Sequence, residues 1–285
     1  GACEMTTSST SGRGSGKQVI LYAILFLVLL WTLVPILWMV LSSVKPGVAQ
    51  LSSTPVFIFR PTMQHYAALF TGGDLGSYFL NSVLAAGIST VIAVSLGCLA
   101  GYGLARSRFR GKQHVAFWII STRMAPIAAI VLPLFILFRY VNLLDSIPGL
   151  IVAYLTFNLP FAIWIMNAFF MDLPPSLEEA AMVDGATRFQ AFYRVALPLV
   201  TPGIVTTAIL CLVFSWNDYA FAATFAGPNS QTLPIAAAQL NTQTGLNWGQ
   251  LSAIGTIVVL PMMVIGLAVR RYLVRGLTLG AVTGE

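Results

Sequence analysis

The feature that most constrains this chain is a series of six apolar stretches, each long enough to cross a bilayer as a helix. They cover residues 18–43, 78–105, 114–138, 148–170, 198–222 and 249–272. Charge is scarce throughout: 15 Lys+Arg and 9 Asp+Glu in 285 residues. A soluble protein of this length would carry about a quarter charged, roughly 70 residues. Hydrophobic residues make up 57% of the chain. A soluble domain needs a polar surface that this sequence cannot supply. The composition excludes an ordinary cytosolic enzyme, a disordered chain and a secreted disulfide scaffold. It predicts an all-α polytopic membrane protein with six transmembrane helices. Prolines interrupt several runs (Pro35, Pro126, Pro133, Pro160, Pro202 and Pro261). Inside a membrane they are tolerated where neighbouring helices satisfy the freed carbonyls. Gly87, Gly97, Gly101 and Gly103 in the second run would let another helix approach closely.

The net charge of +6 reads as basic residues flanking spans and holding their orientation, not as a nucleic-acid surface. With the N-terminus placed in the cytoplasm, the inside segments hold 11 of the 15 cations and the outside loops hold Lys45, Arg60 and Arg139. Arg123 alone lies within a span. This split predicts six spans with both termini on the cytoplasmic side. Cys3, Cys98 and Cys211 show no pairing or ligand spacing, and His65 and His114 lie far apart, so neither a disulfide framework nor a metal site is expected. Residues 1–17, rich in Ser, Gly and Thr, read as a disordered cytoplasmic tail, leaving 18–285 as the membrane domain. The outside segments 44–77 and 223–248 are long for connectors; they could be simple links or a docking surface for an external partner.

Residues 172–198 are the most informative stretch. Pro174 and Pro175 end the fourth span. Ser176 and Glu179 have the spacing of a capping box that starts a new helix. Asp184-Gly185 stops it, because glycine accepts the left-handed conformation beyond a helix end. Thr187 and Gln190 repeat the capping-box spacing. In the helix that follows, Phe189, Phe192 and Tyr193 fall on one face. Two short helices at an angle, about 176–195, are more than a connector needs. They fit either an interfacial helix pair on lipid headgroups or a docking site for a partner. Ala180-Ala181 would permit close approach.

Glu179-Ala180-Ala181, then Gly185 after three residues, then nine residues to Val195-Ala196-Leu197-Pro198, resembles the EAA motif of ABC importer permeases. The one departure is Val195, where the motif has Ile. The stretch Phe214-Ser215-Trp216-Asn217-Asp218-Tyr219 resembles the W-N-D segment of maltose-type carbohydrate permeases, Thr122–Pro126 and Leu132–Phe135 resemble their third span, and Gly276–Gly284 resembles the tail of their second permease subunit. The resemblance covers nearly the whole chain and implies the type I importer permease fold. It implies that 176–195 is the coupling segment that fits a cleft in an ATPase subunit, with Glu179, Ala180, Ala181, Asp184, Gly185, Phe189, Phe192, Leu197 and Pro198 as its working residues. It implies as partners a second permease subunit, an ATPase dimer, an extracytoplasmic solute-binding protein, the lipid bilayer and a sugar substrate.

No cofactor is expected on this chain; ATP and Mg would sit on the partner ATPase. Gly16-Lys17 is the nearest approach to a phosphate-binding loop, but Gln18 follows it and Ser11 stands where the first glycine should be. No catalytic arrangement is readable, so the chain is expected not to be an enzyme. For a substrate pathway the candidates are Arg123 and Asn158 within spans, and Trp216, Asn217 and Asp218 near a span end. An arginine at mid-membrane costs about 2.5–3.5 kcal/mol on the insertion scale, so Arg123 should face protein or water. Arg123 and Asn158 could instead lock helices together, and Trp216, Asn217 and Asp218 could be an interfacial belt residue with helix-end capping. Counted along continuous helices, Arg123 and Asp218 lie at different depths, which argues against an ion pair between them. Another polar cargo, such as glycerol phosphate or a polyamine, stays open, as does an ion-coupled transporter, for which Arg123 would be a poor proton carrier.

Overall fold

The computed structural model describes residues 14–50, 54, 56–71, 74–242 and 245–279. Its elements follow the apolar runs. α1 (Gly14–Ser43) is followed by the short α2 (Gly47–Gln50) and α3 (Gln64–Thr71). α4 (Leu75–Arg106) is the second run. α5 (Lys112–Ser121), a 3-10 turn at Thr122–Met124 and α6 (Ile127–Tyr140) share the third. α7 (Ile147–Asp172) is the fourth. α8 (Pro175–Val183), α9 (Arg188–Ala191), a π-helical turn at Phe192–Ala196 and α10 (Leu197–Leu199) make the segment between runs. α11 (Thr201–Trp216), α12 (Ala220–Phe225), α13 (Leu233–Gln239) and α14 (Trp248–Leu279) complete the chain. The only strands among the described residues are the two-residue β1 (Asn241–Thr242) and β2 (Gly245–Leu246), paired antiparallel.

Four helices are by themselves long and apolar enough to cross a membrane, and the count rises to six if each of two bent pairs is one span. The first bend, of 89°, separates α5 from α6. Its cause is local: Pro126 has no N–H to continue the helix and drives Ala125 into extended backbone, with ψ 136°. The third run is therefore not one continuous helix. The second bend, of 73°, lies between α10 and α11. The fifth run is also shorter than expected, since α11 ends at Trp216 and Asn217-Asp218 leave the helix. At the other end of the chain, α1 already begins at Gly14, so the expected tail of 1–17 gives up four residues to the helix; residues 1–13 lie outside the described residues. So do 280–285, which hold the last part of the expected C-terminal motif.

The interior is built on α4. It packs along α7 and α11, while α1 packs on α14. Gly97 and Gly101, one turn apart, make the α4–α7 contact possible: a Cβ at Gly97 would lie 2.7 Å from Ala162 Cβ, and one at Gly101 would lie 2.7 Å from the Asn167 nitrogen. Gly87 and Gly103 face open space, so the close-packing expectation holds for two of the four glycines. Around this seam Ala93, Ala162, Met166, Phe170 and Cys211 are fully enclosed. Most of α1 is exposed along its length, which suits a helix whose surroundings are lipid or another subunit.

The end of the bundle remote from residues 172–198 is stitched by polar bonds. His65 Nε2 lies 2.9 Å from the Lys45 carbonyl, and Tyr66 donates to Ser43 Oγ at 2.8 Å, fixing α3 to the end of α1. Asp145 sits in the turn between α6 and α7 and gathers the segment before α13. Its Oδ1 accepts from the N–H groups of Gly227, Asn229 and Ser230 at 2.9–3.1 Å, and its Oδ2 accepts from Asn229 Nδ2 at 2.7 Å. Asn81 Nδ2 donates to the Gln231 carbonyl, and Leu233 N–H donates to Ser82 Oγ. Residues 227–233 of this long segment are thus a structured cap on α4, not a loose link.

Candidate functional site

The segment between α7 and α11 forms an elbow whose construction is local. Pro174 is the N-cap of α8 and Pro175 its first residue. No side chain caps this end, so the capping box expected from Ser176 and Glu179 does not form; the helix starts two residues too early for it. Its other end matches expectation. Gly185 has φ +91°, its N–H donates to the Met182 carbonyl at 3.1 Å, and the Ala186 N–H reaches back to Ala181 at 3.0 Å. That pair of bonds is a Schellman cap, and it demands a left-handed residue at 185. The second capping box also forms: Gln190 N–H donates to Thr187 Oγ1 at 3.2 Å, and Thr187 N–H donates to Gln190 Oε1 at 2.9 Å.

Burial divides the elbow in two. Phe192 is buried, with its ring 4.6 Å from Tyr102 and 6.1 Å from Phe170. The three aromatics expected on one face are therefore split. The π-helical turn starting at Phe192 widens the helix there, so Phe192 enters the core while Phe189 and Tyr193 stay 70% and 63% exposed. Val183 is 87% exposed, and Leu177, Met182 and Ala180 are also exposed. Glu179, Asp184, Gly185 and Pro198 lie on the surface, and Ala181 and Leu197 are half-buried. The elbow is an apolar ridge standing on a buried aromatic base.

The residue that anchors it is one the sequence did not single out. Glu178, not Glu179, is buried. Arg106, at the end of α4, donates to Glu178 Oε1 from Nε at 2.9 Å and from Nη2 at 2.7 Å. Its Nη1 and Nη2 also donate to the carbonyls of Phe170 and Leu173, the last turn of α7. Tyr102 donates to Glu178 Oε2 at 2.7 Å. One guanidinium thus ties together the ends of α4 and α7 and the start of α8. Adjacent glutamates give no sequence signal as to which one turns inward; only the rotational setting of α8 decides it. Beside this anchor lies a 650 Å³ cleft lined by Arg106, Arg108, Lys112 and Arg188 against Glu178 and Glu179.

The residues expected to line a pathway separate into two groups. Asn158 is fully enclosed; its Nδ2 donates to Ser215 Oγ at 2.7 Å, and Ser215 approaches Ser89 Oγ at 3.3 Å. It locks α7, α11 and α4 together. Trp216 is buried as well, donating from Nε1 to the Val258 carbonyl at 3.0 Å and packing edge-on against Phe79. These two side chains hold helices and do not line the cavity at the third span. Asn217 is exposed and bonds back to the Val213 carbonyl at 2.8 Å. Arg123 and Asp218 are different. Both line a 240 Å³ cavity at the bend between α5 and α6. The depth count that set them apart assumed an unbroken third span; the 89° bend removes that assumption. They share the cavity without an ion pair, the only ion pair among the described residues being Arg106–Glu178.

Residues 93–279 match the family described as the binding-protein-dependent transport system inner membrane component. The chain belongs to that family. This permease is 38% identical over 261 residues to the trehalose transport system permease protein SugB of Mycobacterium tuberculosis, covering 90% of this chain and 95% of the relative. It is 34% identical to the probable ABC transporter permease protein y4oR of Sinorhizobium fredii, over 98% of this chain and 100% of that one. Among solved structures it resembles a chain of a bacterial ABC transporter involved in import of the acidic polysaccharide alginate, with TM-score 0.76, 22% identity, and coverage of 93% and 99%. A methionine ABC transporter in an inward-facing form gives TM-score 0.58 at 18% identity, with coverage of 75% and 99%. The fold is that of an ABC importer permease, a multi-pass membrane protein, as the elbow motif implied.

Proposed function

We propose that this permease is one of two membrane subunits of a bacterial importer that moves a carbohydrate inward across the cytoplasmic membrane by alternating access. It crosses the membrane six times, with both termini in the cytoplasm. Residues 18–285 serve as the permease domain, and 1–17 stay on the cytoplasmic side, with 14–17 as the first turn of α1. A solute-binding protein delivers the sugar to the end of the bundle remote from the elbow. Two ATPase subunits, holding ATP and Mg, close on each other at the elbow end. This chain supplies no ATPase site.

The observation that carries this reading is the elbow. Its exposed apolar ridge would seat in a cleft of the ATPase, with Ala180 and Ala181 allowing close approach and Phe189 filling the groove. Glu179 and Asp184 flank the contact, and Gly185 sets the turn. Phe192, Leu197 and Pro198 join the elbow to the bundle. An ATPase movement applied to the ridge passes through the Glu178–Arg106 tie to α4 and α7 at once, and through α10 to α11. The cargo assignment is supported by relatives named for trehalose, for trehalose and maltose, and for diacetylchitobiose transport.

The test is to express the chain with its chromosomal neighbours, purify it in detergent, and assay ATPase activity with a panel of sugars and the cognate binding protein. The expected result is a co-purifying ATPase stimulated by one neutral sugar in the presence of the binding protein. A chain that purifies alone, or a complex stimulated only by a non-carbohydrate, would overturn it.

A further inference from the structure

Arg123 occupies an unusual position. Its guanidinium lies between two phenylalanine rings, 4.3 Å from the centroid of Phe161 and 4.4 Å from that of Phe214. The two rings are themselves edge-to-face at 5.3 Å. Cation–π contact with the two rings supplies part of the stabilisation that water would give. It supplies no hydrogen-bond acceptor. Nη1 is buried without a partner, and no protein acceptor for this guanidinium occurs among the described residues. A buried guanidinium N–H with no acceptor is costly unless something else fills that role.

The cavity beside it indicates what that is. Across its 240 Å³ stands Asp218, together with Thr122, Thr156 and the rings of Phe157 and Phe221. Asp218 stands before α12, and Ala222 N–H donates to its Oδ2 at 3.1 Å. A carboxylate has about four acceptor positions, so acceptor capacity remains beyond this bond. The lining therefore offers a fixed donor cluster, a fixed acceptor, hydroxyls and aromatic faces, with formal charges that cancel. A sugar hydroxyl is at once donor and acceptor, and the C–H face of a pyranose packs on an aromatic ring. The volume is below the ~300–1,000 Å³ of sites for drug-sized ligands, which suits one ring and not an oligosaccharide. An anionic ring would gain Arg123 but face Asp218.

We propose that this cavity is a subsite for a single neutral sugar ring, held between Arg123 as donor and Asp218 as acceptor. The proposal rests on the carbohydrate-importer reading above and adds that this subunit contacts the cargo and selects against acidic rings. Arg123 fixes the ring through its free N–H groups; Asp218 accepts from a hydroxyl and repels a carboxylate.

The test uses the assembled transporter in nanodiscs, trapped with vanadate and without binding protein, so that only the membrane subunits select. The probes are methyl α-glucoside and methyl α-glucuronide, which differ by a carboxylate at C6, with binding read by saturation-transfer NMR titration. The wild type is expected to favour the glucoside at least tenfold. Asp218→Asn retains an acceptor oxygen and removes the charge; it should bring the preference to within about threefold by admitting the glucuronide. Arg123→Gln should weaken glucoside binding at least tenfold, and Arg123→Lys should recover only part of it. Equal binding of both probes to the wild type, or an unchanged preference in Asp218→Asn, would overturn the subsite. ATPase stimulation by sugar-loaded binding protein, measured on the same nanodiscs before vanadate is added, separates the two readings. If it persists while the preference test fails, only the subsite falls; if no sugar stimulates the wild type, the importer reading falls with it.

Discussion

The two ends of this bundle are held by opposite means. At the elbow one buried ion pair, Arg106–Glu178, joins three helix ends, and beyond it stands an exposed ridge of Leu177, Met182, Val183 and Phe189. At the remote end many separate bonds do the work. Asp145 gathers residues 227–230, Asn81 and Ser82 hold 231–233, and His65 and Tyr66 hold the end of α1. A single strong tie lets an applied movement pass to the bundle as a unit. Distributed ties hold a surface in shape. The first arrangement suits a lever and the second a platform.

The contrast can be broken most severely at the tie. Arg106→Ala leaves Glu178 buried and unpaired, and removing one partner of a buried pair typically costs about 3–5 kcal/mol. Because the Arg106 side chain retains 19% exposure, the lower end, about 3 kcal/mol, is expected, read by thermal unfolding of the solubilised complex. Transport should fall with it. A loss below about 1 kcal/mol would mean that the elbow is held elsewhere.

Next comes the seam that receives the movement. Gly97→Leu places a side chain where even a Cβ would lie 2.7 Å from Ala162. Overpacking of this kind costs about 1–3 kcal/mol, and the variant should unfold at lower temperature. Gly87→Leu, facing open space on the same helix, is the control and should leave the transition unchanged.

Gly185→Val acts through the backbone alone. Nothing lies within 4 Å of its Cβ position, but φ is +91°, and a left-handed conformation costs a β-branched residue about 1–2 kcal/mol. The cap should loosen and turn the ridge. ATP hydrolysis should continue while transport per ATP falls several-fold in proteoliposomes; unchanged coupling would remove Gly185 from the lever.

The smallest effect belongs to the platform and depends on pH. Burial pushes the Asp145 carboxyl up, but the bonds from Ser230, Asn229 and Gly227 outweigh it and hold the group below the usual carboxylate range. A depressed value means that its stabilising contribution is present above about pH 4, the unfolded value, and is lost as pH falls through the lower folded value. The stitch should therefore be constant between about pH 5 and 8 and open only in acid. Protection of amides 226–232, corrected for intrinsic exchange, should drop below about pH 4. Asp145→Asn, which tolerates the φ of 50° at this position, should show the reduced protection at every pH. A change in protection near neutral pH would contradict this assignment.

Much of this architecture was legible because it rests on local chemistry. The four long helices follow from apolar run length, the turn at Gly185 from glycine after a short helix, and the second capping box from Thr187 and Gln190 three apart. What was not legible depends on rotation and bending. The break at Pro126 could be seen as a proline, but not as an 89° turn that brings Arg123 and Asp218 to one cavity. The choice of Glu178 over Glu179, and of Phe192 over its two aromatic neighbours, turns on the setting of short helices against α4 and α7. Asn158 and Trp216 carried the same polar signal as pathway residues, yet they bond helix to helix. A polar side chain within a span has both uses, and only its partner tells them apart.

The most direct test of the lever and the platform is a pair of cross-links in the assembled complex. A bifunctional reagent on Val183→Cys, at the elbow, and the same reagent on Asn229→Cys, at the opposite end, would each be asked which chain they capture. The elbow should capture the ATPase subunit and position 229 the binding protein. Capture of the ATPase from position 229, or of neither partner from position 183, would contradict the account.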